Sequence, residues 1–110
     1  MTPEQELEAL RTWADHDIGK LLASRVRQLR QEAGQSQETL SLLANVPLRT
    51  FKRFETDGKA NLETFIRVLR ALNRVQYLHL LLPANRPRVA SAVEEKLAQA
   101  RTRWQKPSDQ

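Results

Sequence analysis

Residues Ser36–Glu55 read SQETLSLLANVPLRTFKRFE, and the reading of this stretch decides the fold. Ser36 carries the side-chain acceptor that a helix N-cap needs. Leu40, Leu43 and Ala44 follow at helical spacing, predicting a short helix that ends near Leu43. The "NVP" at Asn45–Pro47 breaks it, since Asn45 tolerates positive φ and Pro47 disfavours helical backbone at Val46. A second short helix is expected from Pro47 to about Thr56, closed by Asp57 and Gly58. On a wheel of about 100° per residue, Phe54 and Pro47 lie within about 60° of Phe51 and form one apolar side. Arg49 and Arg53 fall about 160° and 200° from Phe51 and Lys52 about 100°, so the outer face is cationic.

Two such short helices cannot persist alone and must pack on their neighbours. Upstream, Thr2, Pro3 and Gln5 spell a capping box, predicting a helix of about ten residues with Leu7, Leu10 and Ala14 on one face. Asp15 or Asp17 can cap a longer helix whose apolar positions are Ile18, Leu22, Val26 and Leu29, with Gly34 as its left-handed end. Downstream, Asn61 caps a helix with the stripe Leu62, Phe65, Ile66, Leu69 and Leu72. "VQYLHLLLP" (75–83) is expected to form a last core helix stopped by Pro83, and "PANRPR" (83–88) to form a linker. Ser91 and Glu94 then open an amphipathic segment with Val93, Leu97, Ala100 and Trp104 on one seam.

Strand signals are nearly absent, so the expectation is an all-α chain. It divides into an accessory helix (1–16), a five-helix domain (17–83), and a linker with an amphipathic tail (84–110).

Composition narrows the function. Without cysteine there is no disulfide framework and no thiolate metal site. No apolar run reaches the roughly 18 residues of a membrane span. The acidic, polar opening "MTPEQELEAL" does not read as a secretory signal, which points to the cytoplasm. His16 and His79 have no metal-ligand spacing, and the carboxylates of "EQELE" suit the first turns of a helix better than a catalytic dyad. No nucleophile elbow, P-loop or dinucleotide fingerprint occurs, so neither an enzyme nor a cofactor is expected. Charge is uneven: residues 1–20 hold two basic and five acidic side chains, residues 21–88 twelve and five, residues 89–110 four and three. A basic middle suits a polyanion.

An α-helix fits the major groove of DNA, where arginine bonds bidentately to guanine N7 and O6. Leu48 could meet a thymine methyl. The amides near Ser36 and Gln37 would aim at one phosphate, and Lys59 with the helix N-terminus at Asn61 would grip another. The plainer alternative is a solvated basic face.

These residues carry a resemblance. The stretch resembles the helix-turn-helix of the Cro and lambda-repressor-like (Xre) family, over roughly residues 21–82. Gln37, Leu40, Ser41, Ala44, Asn45 in the usual glycine place, Val46, Phe51, Phe54 and Glu55 fall in register, and "SRVRQLRQEAG" (24–34) is similar to that family's first helix. Two departures stand out: Pro47 replaces the usual Ser or Thr cap, and Leu42 occupies a place normally polar. The resemblance implies a lambda-repressor-like five-helix DNA-binding domain. Leu48, Arg49, Lys52 and Arg53 would face the bases, with Ser36, Gln37, Thr50, Lys59 and Asn61 at the backbone and Arg30 paired with Glu55.

The resemblance also implies a bacterial, nucleoid-associated repressor acting as a homodimer on a palindromic operator in double-stranded DNA. "LETFIRVLRALNRVQYLHLLLP" (62–83) further resembles small regulators encoded beside HipA-like kinase toxins, implying an antitoxin that represses its own operon. Leu42, Leu97 and Trp104 are then candidate contacts for a dimer mate or a toxin. The rival class is an interaction module that has lost DNA reading, against which the cationic outer face argues. RNA binding lacks an aromatic stacking platform.

Overall fold

The computed structural model describes residues 1–84 and 96–101, and among these every regular element is helical. The chain divides into two units, Met1–Tyr77 and a second that begins at Leu78. The first unit holds α1 (Pro3–Thr12), α2 (Asp15–Glu32), α3 (Gln37–Ala44), α4 (Leu48–Asp57), α5 (Leu62–Ala71) and a 3-10 turn at Val75–Tyr77. In the second, α6 (Leu78–Leu81) and residues 96–101 are helical. No described helix is long and apolar enough to cross a membrane.

Local chemistry sets the helix ends. Thr2 and Gln5 close the capping box of α1, each side chain bonding the other's backbone at 2.9 and 3.1 Å. Ser36 accepts from Thr39 N at 3.0 Å to start α3, and Asn61 accepts from Thr64 N at 2.8 Å to start α5. Gly34 ends α2 at φ +70, with Gln35 N bonded to Arg30 O and Gly34 N to Gln31 O. That pair of bonds is the Schellman arrangement, which satisfies carbonyls the helix would otherwise leave bare. Asn73 repeats it after α5 at φ +61. The start of α2 differs from expectation: Ala14 is the N-cap without a side-chain bond, and Asp15 and Asp17 instead lie in the first turn. There their charge opposes the helix's positive end, which stabilises without capping.

The core is built from Ala23, Val26, Leu40, Ala44, Val46, Phe51, Phe54 and Val68, with Phe65, Ala71 and Leu72 packed against it. It joins α2 to α4, and α3 to both α4 and α5. Small residues take several places expected of leucine. In α1 the buried residue is Ala9, while Leu7, Leu10 and Ala14 are exposed. In α2 the buried row is Ala23, Val26 and Arg30, and Leu22 is exposed. Ser41 rather than Leu43 joins Leu40 and Ala44 on the inner side of α3, its hydroxyl donating to Glu38 O at 2.9 Å. Val46 is buried where Pro47 was expected, and Pro47 is exposed. In α5, Val68 is 0% exposed and Leu62 is 72% exposed. An apolar arc wider than the contact it serves leaves its flanking residues outside, and close helix approach selects the small ones.

"VQYLHLLLP" is not one core helix. Asn73 turns the chain, Val75–Tyr77 winds as 3-10, and α6 has only four residues, none buried. Pro83 has no N–H and its ring excludes a helical turn over the carbonyl four residues back, at His79. Little length remains between the turn and the proline. Residues 85–88 of "PANRPR", Ser91, Val93, Glu94 and Trp104 lie outside the described residues.

Candidate nucleic-acid interface

The break between α3 and α4 works through Asn45, whose φ of +57 lets Val46 N reach Ser41 O at 3.0 Å. Arg67 of α5 fixes this turn from outside, donating from Nη1 to Asn45 O at 3.1 Å and from Nη2 to Glu63 at 3.0 Å. Arg67 is therefore not merely solvated. The Glu63–Arg67 spacing of one helical turn was the sequence signal for it. No side chain caps α4, whose N-cap is Pro47. Its orientation comes from packing instead. Phe51 is fully buried and Phe54 nearly so, and the Phe54 ring meets Phe65 of α5 at 5.9 Å between centroids, tilted 57°.

The far end of α4 is held to α2 in two ways. Glu55 is buried and accepts from Arg30 Nε at 2.8 Å, Arg30 Nη2 at 3.2 Å and Gln37 Nε2 at 2.8 Å. Arg27 adds a contact at 3.6 Å to the carboxylate and donates to Glu55 O at 3.3 Å. Arg30 also donates to Gln35 O at 2.9 Å, so one guanidinium ties α2, the loop after it and α4 together. Gln37 thus braces α4 directly. Beside this cluster, Gly58 closes α4 at φ +72 and lies against Gly19 of α2. A Cβ on Gly19 would stand 2.7 Å from Gly58 O, so the two backbones touch where no side chain fits.

This frame leaves Arg49, Lys52 and Arg53 exposed on the outer side of α4, with Leu48 and Thr50 half-buried at its flanks. Arg49, Thr50 and Arg53 line an open groove of about 500 Å³ with Lys59, Ala60, Asn61 and Thr64. Five of the candidate residues therefore converge: Arg49, Thr50 and Arg53 on α4, Lys59 in the loop, and the cap of α5. Thr64 and Ala60 join them unanticipated. Lys52 is exposed beside the groove without lining it. Ser36 and Gln37 do not line it either; they stand at the start of α3, with Gln37 committed to Glu55. Leu42 is 80% exposed on α3, Leu97 is 50% exposed in the second unit, and Trp104 lies outside the described residues.

Most other cations of the unit are engaged, Lys20 and Arg70 being exposed without an acidic partner among the described residues, like those of this face. Arg11, Arg25, Arg27, Arg30 and Arg67 each have a carboxylate within 3.8 Å, and Arg74 stands 6.0 Å from the Tyr77 ring. Arg25 holds the Glu6 carboxyl below its ordinary pKa through their hydrogen bond, and its own value is raised in return. Arg49, Lys52, Arg53 and Lys59 have no acidic or hydrogen-bonded partner among the described residues. Four unneutralised cations beside a helix N-terminus make a field that attracts an anion carrying several charges.

Comparison with protein-family models, with curated proteins and with solved structures returned no match.

Proposed function

We propose that this chain is a sequence-specific double-stranded-DNA-binding regulator with a lambda-repressor-like helix-turn-helix, α3 and α4 being its two helices. The observation that carries the reading is that the unpartnered Arg49, Arg53 and Lys59 converge on one groove with the capped start of α5. In this reading α4 lies in the major groove, where Arg49, Lys52, Arg53 and Leu48 meet base edges. Lys59, Thr50 and the α5 amides at Asn61 hold the backbone, and α3 crosses it. The Arg30–Glu55–Gln37 cluster supports the reading mechanically, since base recognition needs a helix whose tilt does not wander. One such helix spans few base pairs, so useful specificity calls for a homodimer on a palindromic site. Occupying a promoter would then make it a repressor. The toxin-partnered reading rests on the sequence resemblance alone.

Selection of bound sites from a random duplex pool, followed by titration at two salt concentrations, tests the proposal. Enrichment of a two-fold-symmetric sequence and affinity falling steeply with salt are expected. Equal binding to all duplexes, or none, would refute it.

A further inference from the structure

Resting on the DNA-binding reading above, we infer that the half-site read by α4 carries two guanines within two base-pair steps of each other, recognised by Arg49 and Arg53. The argument begins with what α4 lacks. Its exposed positions over 48–57 are Arg49, Lys52, Arg53 and Thr56. Bidentate reading of adenine needs Asn or Gln, and none occurs in Leu48–Asp57. Accepting from cytosine needs a free carboxylate. Glu55 is buried and occupied by Arg30 and Gln37, and Asp57 ends the helix. Leu48 and Thr50, half-buried at the flanks, offer at most a methyl contact or a single hydrogen bond.

What α4 has is a pair of guanidinium forks. Arg49 and Arg53 line the same groove, and neither is drawn aside by an acid. The fork matches the O6 and N7 acceptors that guanine alone presents together in the major groove. One helical turn apart, the two side chains are separated by about 6 Å along the axis. Base pairs rise about 3.4 Å along the duplex axis, and a helix inclined to that axis covers less rise than its own length, so the two contacts fall within two steps of each other. Lys52 sits on the neighbouring row and donates as a point charge, which adds attraction with less choice of base. Lys59 and the α5 amides, across the groove, fix how deeply the forks enter.

The experiment uses the full chain and the duplex sequence that selection enriches. Each half-site should contain the guanine pair. Replacing either guanine by 7-deazaguanine removes the N7 acceptor and leaves Watson–Crick pairing intact. Each replacement should weaken binding by up to roughly 5- to 150-fold, the worth of a whole bidentate contact being the ceiling because O6 still accepts. Arg49→Ala should become indifferent to the replacement at one guanine and Arg53→Ala at the other. Enriched sites without the pair, or 7-deazaguanine duplexes bound as tightly as the parent, would overturn this inference and leave DNA reading standing. Absence of any preferred duplex would remove both. The measurement on the unaltered protein decides the matter even where a variant folds poorly.

Discussion

Replacing Glu55 by alanine is the sharpest test of how α4 is held. The carboxylate is 0% exposed and receives Arg30 twice and Gln37 once, at 2.8 to 3.2 Å. Its removal strands the Arg30 guanidinium, whose side chain is 11% exposed and keeps only the Gln35 carbonyl at 2.9 Å. Breaking one side of a buried pair costs about 3–5 kcal/mol. The surviving carbonyl bond and the narrow opening to solvent place Glu55→Ala at the lower edge, about 3 kcal/mol. For a unit of this size each kcal/mol lowers Tm by about 4–8 °C, so a drop of about 12–24 °C is expected. That is a large part of the roughly 5–15 kcal/mol a domain commands. Helical circular dichroism on heating measures it. The double variant Arg30→Met, Glu55→Leu should recover most of the loss, because apolar side chains of similar volume leave no buried charge. A Glu55→Ala protein within about 0.5 kcal/mol of the parent, the range of an ordinary surface change, would refute the reasoning.

Four further outcomes are expected. Arg49→Ala and Arg53→Ala should each cost about 1–3 kcal/mol on the best site and relax preference at one base pair. Lys59→Ala should weaken all duplexes alike and lower the salt slope by about one, both readable from titrations on selected and scrambled DNA. Gly58→Ala should destabilise more than Gly34→Ala: both hold positive φ, a strain of about 1–2 kcal/mol for alanine, but only at Gly58 does a Cβ meet backbone, 2.6 Å from Lys20 N. Equal melting temperatures would count against the Gly19–Gly58 contact. Because Arg25 lowers the Glu6 pKa in the folded state, that pair stabilises fully above the ordinary value of 4.5 and its contribution fades as pH falls through the lowered one. Glu6→Gln should flatten this part of the acid limb of stability, and an unchanged limb would exclude the pair from it.

Helix ends and the outer face of α4 were legible in the sequence because they depend on neighbours only a few residues away. Thr2 with Gln5, Ser36 and Asn61 mark starts by offering an acceptor to an amide three positions on, and Gly34, Asn45 and Gly58 mark ends by tolerating positive φ. Phe51 and Phe54 against Arg49, Lys52 and Arg53 leave α4 only one way to turn. Periodicity could not say which part of a broad apolar arc would be covered. That choice fell to Ala9, Ser41 and Val68 over Leu7, Leu43 and Leu62, because contact between helices is decided by the shape of the opposing surface. The Arg30–Glu55 pair came from resemblance and not from local physics, since the partners are 25 residues apart. A still longer separation in sequence hid the meeting of Gly19 with Gly58. Lys59, Asn61 and the two arginines of α4 share a groove where the chain turns at Gly58 and Phe54 meets Phe65 of α5. Local bonding is written in consecutive residues; the surface a ligand would meet is made by segments that only the packed core brings together.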